Sequence, residues 1–191
     1  MLYENNFEKA EPDKMPDDVM VLEGAFAVKP DGTNKVVELP GAPLETFGFL
    51  FGPTESENLS ASARAFGTSK GRRAPTFAIG LGGVSGFKLQ VAPGKRMVEL
   101  VKGENEVLAS APLKWDSGSW TLLRLQVIKA KEGEWRVEGK AWTQGSPEPQ
   151  NWPVSYVNKT APIPGRAGVW GSPYAETPIR FDDLRVVRVS Q

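Results

Sequence analysis

Five aromatic side chains in the last third of the chain, Trp142, Trp152, Tyr156, Trp170 and Tyr174, are interspersed with amides and an arginine: Gln144, Gln150, Asn151 and Arg166. Together these types suit one chemistry. Sugars lay the apolar faces of their rings on Trp or Tyr, while neighbouring amides, carboxylates and guanidinium groups take the hydroxyls. The tryptophans, with Trp120, also read as core or rim residues that define a fold, so residue type alone leaves both roles open.

Other chemistries are removed by what is missing. Cysteine and histidine are both absent. This excludes disulfide scaffolds, thiol chemistry, Cys/His zinc sites and every catalytic arrangement that moves protons through imidazole. Carboxylate chemistry, lysine chemistry and an all-oxygen metal site remain open. The 23 basic residues balance 23 acidic ones, without a dense Lys/Arg cluster, so neither a nucleic-acid groove nor a membrane-surface patch is expected. Residues 1–6 have neither a basic n-region nor an apolar h-region, and no run approaches the about 20 apolar residues of a membrane span. A soluble chain without membrane insertion is expected. A removed signal peptide would leave the same appearance, and the lack of cysteine does not decide the compartment.

The elements that must position these residues read as strands. Residues 86–91, 95–101, 106–110, 120–128 and 134–142 mostly alternate apolar with polar side chains, and turn formers separate them. Before them come strands at 2–7, 19–28, 35–39, 47–51, 59–66 and 76–81, the second and third joined as a hairpin by Asp31-Gly32. In 59–66, Leu59, Ala61, Ala63 and Ala65 share a face whose small side chains indicate a crowded contact between sheets. A proline-rich loop follows Trp142, and strands return at 154–157, 163–171 and 179–189. Helical periodicity is absent. The expectation is an all-β fold, one domain spanning 1–191, made of two packed antiparallel sheets.

Alternation also defines a second candidate surface. If Leu123, Leu125 and Val127 face inward, Arg124 and Gln126 face outward; Glu138, Lys140 and Trp142 share a face of the next strand, and Lys88 and Gln90 a face of an earlier one. They read either as a polar groove with an aromatic platform or as ordinary solvent-facing charge.

Several runs together, 78–81 with 86–91, 107–109 and 120–127, resemble the concanavalin A-like, laminin-G-like jelly rolls of exported bacterial proteins. Residues 137–145, 148–152 (Glu-Pro-Gln-Asn-Trp), 165–171 (Gly-Arg-Ala-Gly-Val-Trp-Gly) and 181–186 (Phe-Asp-Asp-Leu-Arg-Val) resemble the closing pattern of such domains. The resemblance runs from about residue 59 to the end. It implies a jelly-roll β-sandwich in an exported, periplasmic or cell-surface protein, and a ligand that is a polysaccharide or other glycan. It also implies one structural calcium where the terminal strands meet, held by Asp183 and Asp182 with an acidic group such as Glu8 or Asp31. Pairing of Asp183 with Arg185 or Arg180 is the alternative.

Catalytic relatives of the laminarinase group carry Glu-x-Asp-x-x-Glu on one strand, so that two carboxylates reach one glycosidic bond. Glu132, Glu134 and Glu138 lack the central aspartate. Binding of glycan without cleavage is therefore the leading expectation. A structural or protein-interaction module is the second, and a glycosidase acting through carboxylates such as Glu138 or Glu99 the third. Asn58-Leu-Ser60 and Asn158-Lys-Thr160 match the glycosylation sequon.

Overall fold

The computed structural model describes residues 1–42 and 45–190, and its strands form two antiparallel sheets. The first runs in the order β13 (Val154–Asn158), β12 (Glu134–Thr143), β11 (Trp120–Lys131), β6 (Leu59–Phe66), β15 (Ile179–Arg188), β4 (Asn34–Leu39) and β3 (Ala27–Asp31). A short β1 (Tyr3–Asn5) pairs with β15 as well, Tyr3 opposite Val186. The second runs β10 (Glu106–Pro112), β9 (Met97–Lys102), β8 (Phe87–Ala92), β7 (Thr76–Leu81), β14 (Gly165–Ser172), β5 (Phe47–Glu55) and β2 (Met20–Glu23). One 3-10 turn, Pro93–Lys95, links β8 to β9.

Period-two burial holds the sandwich together. Leu123, Leu125 and Val127 of β11 point into the core, as do Leu59, Ala61, Ala63 and Ala65 of β6. They meet Phe77, Ile79, Leu89, Val91 and Leu100 from the second sheet in one apolar cluster. Beside them Phe49 packs edge-on against both Phe26 and Phe181, with ring centroids 5.0 and 6.4 Å away. Each fully buried Leu, Ile or Phe contributes about 1.5–3 kcal/mol relative to exposure, so this interior is the main source of stability.

The start of the chain departs from expectation. Residues 19–28 are not one strand: β2 joins the second sheet beside β5, whereas β3 joins the first beside β4. Gly24, at φ 113°, makes the crossing, and a Cβ there would stand 2.8 Å from Cβ of Phe47. The β3–β4 hairpin itself forms as read, with Asp31 opposite Asn34 and Gly32 in the left-handed region.

Candidate functional site

Strand pairing lays out the outer face of the second sheet as rows. Gly48, Trp170, Ala78, Gln90 and Glu99 form one row, and Leu50, Gly168, Gly80, Lys88 and Val101 the next. Trp170 is only 7% exposed although it points away from the sandwich core. Its indole lies flat along the sheet because its neighbours are glycines. A Cβ on Gly48 would stand 2.5 Å from Cδ1 of Trp170, one on Gly80 2.6 Å from Cζ3, and one on Gly168 2.6 Å from Cη2. The ring thus spans three strands, with Leu50 and Ala78 completing a small apolar patch.

Above this floor opens a groove of about 380 Å³, lined among others by Thr76, Lys88, Gln90, Lys95, Glu99, Asn105, Trp170 and Tyr174. Lys88 Nζ lies 4.4 Å from the centre of the Trp170 ring and donates to the Gly103 carbonyl at 3.1 Å. Burial pushes this ammonium below the usual lysine range, opposed by the more distant Glu104. Glu99 is buried at the floor beneath Lys95, whose Nζ lies 3.3 Å away. Gln90 and Tyr174 have no side-chain hydrogen-bond partner among the described residues, and both border the groove. At its far end Thr46 and Ser172 share a hydroxyl–hydroxyl hydrogen bond of 2.6 Å.

Of the residues singled out in the sequence, Lys88, Gln90, Glu99, Trp170 and Tyr174 come together here. The others lie elsewhere. Arg124 and Gln126 do share the outer face of the first sheet with Glu138, Lys140 and Trp142; the protein itself fills it around Gln126 and Lys140, while Arg124 and Trp142 border a small separate cavity of about 120 Å³ beside Arg64 and Asp183. Gln126 donates to Glu138 at 2.6 Å with both buried, and the loop over 144–153 sets Glu148 on Arg124 at 2.6 Å and on Lys140 at 2.8 Å. Trp152 lies under Lys140, 4.4 Å from its ammonium to the ring centre. Tyr156, opposite Val137, packs half-buried against the core. Arg166 donates to the carbonyls of Gly52 and Asp18, Gln144 accepts from Arg64, and Gln150 and Asn151 are exposed. Glu99 and Glu138 sit on the outer faces of different sheets, so they do not share one cleft. The Asn158 amide is buried and donates to the Thr160 carbonyl, so the acceptor nitrogen of the second sequon is turned inward while Lys159 and Thr160 are exposed. What the sequence reading missed is the Gly48, Gly80, Gly168 seat for Trp170.

Two antiparallel sheets, with the first and last strands paired and a groove on the outer face of one sheet, define the architecture. The fold is that of the concanavalin A-like jelly rolls. Solved structures similar over nearly the whole chain include the carbohydrate binding module CBM66 from Bacillus subtilis, at 12% identity and TM-score 0.58, covering 88% of this jelly roll and 94% of that chain. The carbohydrate recognition domain of Emp46p in its metal-free form matches at 10% identity and TM-score 0.64, covering 98% and 96%. The exoplasmic/lumenal domain of VIP36 bound to Ca2+ and Man3GlcNAc matches at 10% and 0.56, covering 92% and 88%. At such identity the likeness is one of fold. No protein-family model matches the sequence, and neither does any curated protein.

Some jelly rolls of this fold hold a metal, as the VIP36 structure does. The residues expected to hold calcium here do not fit one. Asp182 and Asp183 both bind Arg64, at 2.6 and 2.9 Å, so a guanidinium already stands where an ion would. Glu8 instead accepts from the Lys35 backbone N–H, and Asp31 pairs with Arg180. Among the described residues no group of three or more acidic side chains lies close enough to hold an ion.

Proposed function

We propose that this jelly roll binds glycan without cleaving it, in the groove floored by Trp170. One observation carries the reading: an aromatic ring seated flat on the sheet beside Gln90 and Tyr174, whose polar groups the protein leaves unspent. Free amide and hydroxyl groups bordering a groove match the hydroxyls a pyranose presents, and Trp170, beneath Lys88, supplies the groove's floor. The carbohydrate-binding names of several neighbours of the same fold support it. A calcium at Asp182 and Asp183 is no part of this reading, since the Arg64 guanidinium pairs with both. Calorimetric titration with a broad panel of neutral and acidic polysaccharides, with and without calcium, should give saturable heats. Silence across the whole panel would reject the proposal.

A protein-interaction role is the second reading, and it rests on a different place. At the free edge of the second sheet, Met20, Val21 and Leu22 of β2 are all exposed. Such an edge can accept a further strand. Light scattering on the eluting protein tests this directly: a monomer at every concentration would argue against self-pairing there.

A further inference from the structure

Two lysines among the described residues are buried, and each lies over a tryptophan. Lys140 Nζ is 4.4 Å from the centre of Trp152, and Lys88 Nζ is 4.4 Å from the centre of Trp170. Each also donates to a backbone carbonyl, Pro149 at 2.8 Å and Gly103 at 3.1 Å. They differ in one respect. Lys140 is completed by a carboxylate, Glu148 Oε1 at 2.8 Å, which the loop over 144–153 brings down onto it. Lys88 has no carboxylate of the described residues within ion-pair distance, and where Lys140 meets its loop, Lys88 meets the open groove.

A buried ammonium without a counter-ion is costly, and the ring face of Trp170 offsets only part of that cost. Within the protein Glu99 faces Lys95, and Glu104, which lines the same groove and favours the Lys88 charge, makes no ion pair with it. Lys140 shows how this fold completes such a lysine. Resting on the glycan reading above, we infer that the groove's ligand supplies the missing carboxylate, so that the sugar recognised carries a uronic acid unit whose carboxylate pairs with Lys88 as Glu148 pairs with Lys140. Gln90 and Tyr174 then meet the hydroxyls of the same or the adjoining ring.

Titration calorimetry at low ionic strength tests this with three ligand sets of matched length: oligogalacturonate, its methyl ester, and a neutral galacto-oligosaccharide. The free acid should bind at least about tenfold more tightly than the ester on the wild-type protein, as charge-assisted hydrogen bonds require. The advantage should shrink in salt and disappear in Lys88→Met, while Lys88→Arg keeps part of it. The ester comparison uses the unmodified protein, so it stands even if Lys88→Met folds poorly. Ester or neutral sugar binding as tightly as the acid overturns the inference and leaves the glycan reading intact. No binding by any of the three, nor by the broader panel, overturns both.

Discussion

Arg64 Nη2 lies 2.6 Å from Asp182 Oδ2, and Nε of the same guanidinium lies 2.9 Å from Asp183 Oδ2, so one cation holds two consecutive carboxylates. Asp182 is 1% exposed and takes further hydrogen bonds from the Asn34 amide at 2.9 Å and the Asp183 N–H at 2.8 Å. The guanidinium itself rests 4.4 Å from the centre of Trp120. Arg64→Ala leaves the Asp182 charge buried with neutral donors only. Urea denaturation should then show a loss of about 3 kcal/mol.

Asp183 behaves oppositely. Burial first, and then the neighbouring Asp182 charge, push its carboxyl above the usual aspartate range. The folded state therefore holds this proton more tightly than the unfolded chain does, and the site weakens the fold as pH rises through the unfolded and then the raised folded value. Its backbone, at φ 52°, is one that asparagine tolerates. Asp183→Asn should match or exceed the wild type at neutral pH and lack this contribution to the pH dependence. Denaturation midpoints between about pH 4 and 7 would show it.

Glu148 is the carboxylate that neutralises buried Lys140 and also meets Arg124. Glu148→Gln keeps the shape and removes the charge, leaving both cations without it. A loss of about 2 kcal/mol in urea is expected, less than for a wholly buried pair because Glu148 is partly solvated. The same variant should not alter ligand binding in the groove of the other sheet.

Gly48 is where the Trp170 ring touches β5. In Gly48→Ala the new methyl would stand 2.5 Å from the indole, which must lift off the sheet. Overpacking of this kind costs about 1–3 kcal/mol, and the near-ultraviolet circular dichroism of the tryptophans should change with it. Gly94→Ala is the matched control: nothing lies within 4 Å of its added carbon, and its stability should stay within about 0.5 kcal/mol.

Tyr3 packs 5.4 Å from Phe51, and burial is the largest cause of its hydroxyl being raised from 10.0 to about 12. The unfolded chain gives up this proton first, so stability falls as pH climbs between those values. Tyr3→Phe cannot ionise. Its urea midpoint should decline less than that of the wild type across the same interval.

Alternation made the sandwich legible: Leu123, Leu125 and Val127 face the core as their period demands. It failed at residues 19–28, because apolar character continues through Gly24 while the backbone changes sheets there. The candidate site was legible in types but not in partners. Trp142 and Trp152 match Trp170 and Tyr174 as sugar platforms, yet strand order puts Trp142 on the other sheet, and Trp152 lies in the 144–153 loop that packs onto that sheet through Glu148. Sheet membership is a long-range property that period two does not carry. Gly48, Gly80 and Gly168 were visible as glycines inside strands, a sign of something lying close to the backbone, but only the register shows that one indole lies on all three.

β15, which follows all the other described strands in sequence, takes a central place in its sheet, between β6 and β4, and supplies the partner of β1. Until it arrives, β6 and β4 have no neighbour on their facing sides, and the sheet cannot zip up progressively during synthesis. Such topology implies slow, late folding dominated by sequence-distant pairings. A chain lacking Ile179–Arg188 would expose the facing edges of β6 and β4 to other molecules, as unpaired strand edges do.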